Sequence, residues 1–206
     1  MKLATCLLVA PLLAGCASAA GRPDAVPVHR EVPRTPAAVA PALGTLTLRN
    51  AGFEAPPRSP NYCADRWDCS VHADPSSFTF TVVSAQAAEG AQAMCVERVG
   101  REPWATISQG IHDTGTRGMT LRLSLSMRLD GVTGEGAGPW VVLQGPGGRT
   151  LKHDQKLRKS TQGWERATLE FEVPPTTEIL EVGMTLEGPG RACIDDVRLE
   201  IVKKAR

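Results

Sequence analysis

The sequence predicts an all-β sandwich or barrel at the end of a proline-rich tether. Three observations carry this. Apolar and polar residues alternate in short runs from residue 44 to residue 203. Residues 119–129 alternate without a miss: Met119, Leu121, Leu123, Leu125, Met127 and Leu129 against Thr120, Arg122, Ser124, Ser126 and Arg128. No segment carries the apolar stripe of an amphipathic helix, while 20 glycines and 16 prolines in 206 residues suit a turn-rich domain.

The chain begins with Lys2 and a short apolar run, Leu3 to Leu13, interrupted by Pro11. That run is well short of the roughly 20 residues a bilayer-spanning helix needs, and reads as an export signal. Leu13-Ala14-Gly15-Cys16 closely resembles the lipobox of bacterial lipoproteins. The resemblance implies cleavage after residue 15 and an acylated Cys16 carrying fatty chains such as palmitate. More than one chain gives stable anchoring, whereas a single chain gives only marginal attachment. Ala17 follows the cysteine where an aspartate would signal inner-membrane retention, so the resemblance points to the outer membrane of a double-membrane envelope. The alternative is a soluble secreted protein cut after Ala19 in Ala17-Ser18-Ala19. Cys6 lies within the signal and is lost with it. Loss of the first 15 residues also removes Lys2, so the formal net charge of +1 falls to about zero. Such a balance leaves no basic field for nucleic acid.

Residues 16–43 read as a tether, because Pro23, Pro27, Pro33, Pro36 and Pro41 interrupt every helix or strand. Fully extended at ~3 Å per residue it reaches roughly 80 Å. The domain is expected over residues 44–203. Leu46 and Leu48 alternate with Thr45, Thr47 and Arg49, a first strand. A loop with Pro56, Pro57, Pro60, Cys63 and Cys69 follows. Phe78, Phe80 and Val82 mark the next strand. Residues 92–98 and 105–112 are two more, the latter with Ile107 and Ile111 on one parity. After residues 119–129, Gly136-Ala137-Gly138-Pro139 reads as a turn and residues 140–144 as a short apolar strand. Gly145-Pro146-Gly147-Gly148 turns the chain again. Ala167, Leu169, Phe171 and Val173 form a strand stopped by Pro174-Pro175. Leu180, Val182, Met184 and Leu186 form another. Gly188-Pro189-Gly190 leads into residues 194–202, with Val197, Leu199 and Ile201 inward.

Three motifs then line up: Asn50-Ala51-Gly52-Phe53-Glu54 at the opening, Gly163-Trp164 before a late strand, and Asp195-Asp196-Val197-Arg198-Leu199 on the last one. Their order and spacing resemble the galactose-binding-like jelly-roll β-sandwiches, in particular carbohydrate-binding modules. The resemblance spans residues 44–203. It implies a jelly-roll fold and a glycan ligand, although such folds also serve as structural or protein-binding modules, here with another envelope protein as partner. It also implies a structural calcium held by Glu54 with Asp195 or Asp196, together with backbone carbonyls. No other cofactor is called for. The alternative is that Asp195 and Asp196 satisfy backbone amides at the sheet edge. The resemblance places Trp164 in the core.

Four cysteines remain after the anchor, Cys63, Cys69, Cys95 and Cys193. An exported chain favours disulfides in one of three connectivities, and Cys63–Cys69 with Cys95–Cys193 is preferred. A zinc site is disfavoured, since Cys63 and Cys69 are wider apart than paired zinc ligands. For a glycan face the candidates are Tyr62, Trp67, Trp104 and Trp140, rings on which sugar C–H faces stack, with Gln109, Arg122 and Gln144 as polar partners. Trp67 lies between two cysteines and could instead cover their bridge. No enzyme is expected: G-x-S-x-G, P-loop and H-E-x-x-H motifs are all missing. His112-Asp113 and His153-Asp154 are neighbours whose side chains point apart in a strand, which is no dyad. The basic run Lys152, Lys156, Arg158 and Lys159 reads as a solvated loop, or as a contact to phosphate groups of lipid or lipopolysaccharide.

Overall fold

One strand of 25 residues, β6 (Thr120–Gln144), sets the plan of the molecule. The computed structural model describes residues 41–56, 63–84, 86–112 and 115–204. The signal 1–15, Cys16, most of the tether, Tyr62 and Asp113 lie outside the described residues. The other strands are β1 (Gly44–Leu46), β2 (Asp68–Val71), β3 (Phe78–Ser84), β4 (Gln92–Arg98) and β5 (Trp104–His112). After β6 come β7 (Thr150–Gln155), β8 (Arg158–Glu172), β9 (Ile179–Glu187) and β10 (Arg191–Lys203). No α-helix occurs among the described residues.

Every pairing is antiparallel, and β6 belongs to two layers of a jelly-roll sandwich. Residues 120–130 pair with β8 on one side and β10 on the other, and that layer continues through β4 to β3, with β1 on β10. Residues 136–144 pair with β9 and β7, and that layer continues through β5 to β2. Leu121, Leu123, Leu125, Met127 and Leu129 are buried, as the alternation requires. They meet Val141, Leu143, Leu180, Val182, Met184 and Ile107 of the other layer in one core.

The sequence pattern places a turn at residues 136–139, whereas the strand runs through it. The passage from one layer to the other is made by Gly131, Gly134 and Gly136, with φ of 59°, 74° and 121°. At Gly136 a Cβ would stand 2.6 Å from the Arg158 carbonyl oxygen, so no larger residue fits while β8 lies alongside. Two strands, β2 and β7, carry too few apolar residues to show in the sequence. The run at 152–159 is therefore mostly strand: Lys152 lies on β7, Arg158 and Lys159 on β8, and Lys156 in the short connection between them, and Lys152 pairs with Asp154 at 3.6 Å and Arg158 with Glu165 at 3.4 Å. In β10 the register slips between Asp195 and Arg198, with Asp196 at φ 46°. This bulge moves the inward parity from Ala192 and Ile194 to Val197 and Leu199.

Both disulfides form as expected, Cys63–Cys69 with Cα atoms 5.8 Å apart and Cys95–Cys193 with Cα atoms 4.0 Å apart. The second joins residues directly opposite each other on β4 and β10 and closes a separation of 98 residues. In the chain-entropy view a loop of that length contributes about 4–5 kcal/mol, the short one about 2 kcal/mol. Replacing Cys95 and Cys193 by serine should therefore lower unfolding free energy in urea by about twice as much as replacing Cys63 and Cys69. The reverse order would show that the short bridge holds more than its own loop.

Candidate functional site

The layer built from β2, β5, β9, residues 136–144 of β6, and β7 has one face in the core and one facing out. Opposite residues of antiparallel strands share a face, so the register reads out that outer face directly. Asp68, Ser108, Gly183, Trp140 and Gln155 form one row across all five strands. Gly110, Glu181, Val142 and His153 form the next. Five strands at ~4.8 Å spacing make this face roughly 19 Å wide. Its floor is small and polar: Ser108 donates to Glu181 Oε1 at 2.8 Å, and Gly110 has open space where a Cβ would stand.

Trp140 rises from this floor, partly exposed. Its indole N–H donates to His153 Nε2 at 2.9 Å, and the two rings meet edge to face with centroids 5.9 Å apart. An indole nitrogen only donates, so the His153 Nε2 atom is unprotonated in this contact. His153 thus steadies the indole and forms no dyad with Asp154, its neighbour along β7. Trp104 stands on the same outer face, at the far end of β5, edge to face with His72 at 5.7 Å.

Where β5 runs past the start of β2, the face opens into a cleft of about 540 Å³. Thr47, Arg49, Arg66, Asp68, Gly110 and His112 line it. Burial pushes the Asp68 carboxyl up from its ordinary value. Gln109, an expected ligand contact, also borders this cleft; the other residues were not singled out from the sequence as ligands. The parity of Ile107 and Ile111 did carry the signal, since it turns Gly110 and His112 outward, where both are exposed.

Several expected site residues serve the framework instead. Trp67 is fully buried, lies 5.0 Å from Phe53 and donates to the Asn50 carbonyl at 3.0 Å, so it cannot offer a ring face to a sugar. Gln109 is buried and its amide is taken up by backbone groups of Arg49 and Arg66. Arg122 is buried on the other layer, between Glu170 at 3.0 Å and Glu200 at 3.6 Å, which occupy opposite positions on β8 and β10. Trp164 is half-buried rather than in the core, and donates to the Gln86 carbonyl at 3.0 Å.

The acidic residues near the chain closure do not fit a calcium ion. Asp195 is fully buried; its Oδ2 accepts from the amides of Ala88 and Glu89, both at 2.9 Å, and its Oδ1 from Asp196 N at 2.7 Å. Glu54 Oε1 accepts from the amides of Ala91 at 2.8 Å and Gln92 at 3.1 Å. The Asp196 carboxylate lies against the guanidinium groups of Arg166 at 2.6 Å and Arg198 at 2.8 Å. N–H dipoles and guanidinium groups point their positive ends at the oxygens that a cation would need. Among the described residues no group of three or more His, Cys, Asp or Glu could hold a metal. These carboxylates fasten residues 88–92 to the opening and closing segments.

No family model matches the chain, and no curated protein matches it. Solved structures do. The fold is similar to the CBM22-1 xylan-binding domain from Paenibacillus barcinonensis Xyn10C, with TM-score 0.55, 17% identity, and 75% of this chain and 94% of that chain covered. It is similar to a xylan-binding domain from CBM 22, with TM-score 0.54, 14% identity, and coverage of 81% and 100%. It is also similar to the enzymatically active domain of tailspike protein 4 of bacteriophage CBA120, with TM-score 0.55, 12% identity, and coverage of 77% and 21%. At such identities the likeness is one of fold, that of jelly-roll carbohydrate-binding modules.

Asp195→Ala leaves three amides without their acceptor and should cost about 3 kcal/mol or more in urea unfolding. EDTA should leave the wild-type melting temperature unchanged; a fall of several degrees would mean that a cation holds these segments. Burial, partly offset by the amides of Glu89, Asp196 and Ala88, holds the Asp195 carboxyl above its ordinary value. A raised acid adds stability at low pH and loses it as pH rises through the raised value. The stability of the wild type relative to Asp195→Asn should therefore improve as pH is lowered through the carboxylate range.

Proposed function

We propose that the domain is a non-catalytic glycan-binding module, carried on a lipid anchor at Cys16 in the bacterial envelope and most simply on the outer membrane. The observation that carries the glycan reading is Trp140: a ring held upright by His153, beside a floor that offers Gly110 and Glu181. An indole face takes the C–H face of a sugar ring, while the Glu181 carboxylate of the floor takes its hydroxyls. The rigid sheet places these groups in advance, so little ordering cost is left for binding. The likeness to xylan-binding domains supports the same reading at the level of fold.

On this reading the domain binds without hydrolysis, and the carboxylate and imidazole beside Trp140 are already engaged: Glu181 is tied to Ser108, and His153 to Trp140. The envelope location rests on the lipobox and on the two disulfides, which suit an oxidising compartment. Cys16→Ser should release the protein from the membrane fraction, and the intact mass of the wild-type mature chain should carry acyl groups on residue 16.

Glycan-array screening followed by calorimetry on the domain tests the binding reading. Trp140→Ala should weaken a bound oligosaccharide by about 2 kcal/mol or more, roughly thirtyfold in Kd, with Trp140→Phe losing less. Gly110→Leu should block binding with stability changed by no more than about 0.5 kcal/mol, because its side chain enters open space. A blank array, together with an envelope protein that co-purifies with the wild type, would replace the glycan reading by a protein-interaction one.

A further inference from the structure

The cleft at the end of β5 is built around two arginines. Gln109, 6% exposed, accepts the Arg49 amide at 2.9 Å and donates to the Arg49 carbonyl at 2.8 Å and to the Arg66 carbonyl at 3.1 Å. One buried amide therefore holds the backbones of both arginines side by side. The clamp is reinforced from both directions. Trp67 donates to the Asn50 carbonyl at 3.0 Å, Asn50 donates to the Asp65 carbonyl at 3.1 Å, and the Cys63–Cys69 bridge closes the turn that carries Arg66 at φ 70°.

Both arginines are exposed and line the same cleft of about 540 Å³. Among the described residues, neither guanidinium has an acidic partner. Asp68 lines that cleft too, and burial raises its carboxyl from the ordinary value. On the other layer Arg122, Arg158, Arg166 and Arg198 each have a carboxylate within 3.6 Å, whereas Arg128 donates to the Gln86 side chain. Two like charges fixed on adjacent backbone segments repel each other unless an anion lies between or before them. Guanidinium forks match a carboxylate in a bidentate geometry.

We propose that this cleft selects an acidic glycan, with Arg49 and Arg66 gripping the carboxylate of a uronic acid unit. The inference rests on the glycan-binding reading above and names its ligand class. Gly110 and Val142 both lie opposite Glu181, so the cleft floor is two strands from the strand that bears Trp140. A single oligosaccharide lying across the strands thus meets the indole with one unit and the arginines with another. Thr47 and His112 line the cleft beside them and meet the sugar hydroxyls. Gln109 is a positioning residue: its amide is taken up by the backbones of Arg49 and Arg66 and holds them side by side.

The test compares oligogalacturonates and glucuronic-acid-substituted xylo-oligosaccharides with neutral xylo-oligosaccharides of equal length, by calorimetry on the disulfide-bonded domain. The acidic probes should bind more tightly than the neutral ones. Arg49→Gln and Arg66→Gln should each weaken the acidic probes roughly tenfold and leave the neutral ones unchanged. Affinity for the acidic probes should fall with added NaCl, and fall less steeply in each variant. Both side chains are exposed, so the melting temperature should not move. Equal affinity for acidic and neutral probes, untouched by either variant, would overturn the charge selection and leave glycan binding standing. Absence of binding by any probe, with Trp140→Ala indistinguishable from wild type, would overturn both.

Discussion

Two layers share one strand, and that constraint organises the rest. Antiparallel pairing turns every second residue of β6 inward, and the core is filled only if that parity is kept on both sides of the passage between layers. The three positive-φ glycines make the passage without ending the strand. Because residues 136–144 continue the strand, β9 lies beside them, and β5 and β2 follow outward from β9. The outer face that holds Ser108, Glu181 and Trp140 is a consequence of that order. A turn at residues 136–139 would have uncoupled Trp140 from the strands that carry the other groups.

Polar side chains hold this sandwich together where strands end. Asn50 donates to the carbonyls of Ala55 and Asp65 and accepts the Ala55 amide. Gln109 ties Arg49 to Arg66, and Asp195 and Glu54 take up the amides of residues 88–92. Buried backbone groups must find partners, and short side chains of the right reach supply them where no neighbouring strand does. Residues that a sequence motif marks as ligand or metal contacts are used here as struts. The same chemistry, an oxygen that accepts or an amide that donates, serves either purpose.

Charge is divided between the two outer faces. On the face of the β8–β6–β10 layer, cations and carboxylates occupy opposite positions in the register and cancel pair by pair, as with Glu170, Arg122 and Glu200. On the outer face that bears Trp140 the polar groups are engaged mainly by hydrogen bonds, Glu181 with Ser108 and Trp140 with His153, and two cations, Arg49 and Arg66, line one cleft with a single carboxyl, that of Asp68. Matched charges stabilise the fold and offer little to a ligand; unmatched ones cost the fold some repulsion and are available to a partner.

The sequence by itself determined the all-β class, the inward residues of the long alternating strands, and the stops at Pro174-Pro175 and Gly188-Pro189-Gly190; among three disulfide connectivities it favoured the one that forms. Alternation and cyclisation are local or pairwise facts, and they survive without knowledge of neighbours. Tertiary structure alone decided which polar residues face a cleft. Gln109 and Gly110 are adjacent in sequence, yet Gln109 is buried with its amide tied to backbone groups while Gly110 is exposed on the outer face. Trp67 and Trp140 have the same ring, yet only Trp140 meets solvent, because the Cys63–Cys69 turn folds Trp67 onto Phe53. β2 and β7 escaped notice for the same reason: their residues are too polar to announce a strand, and they become strands by completing the hydrogen bonds of β5 and β6. A side chain's role depends on what the rest of the chain brings within a few ångströms of it, and that is a property of the packed sheet.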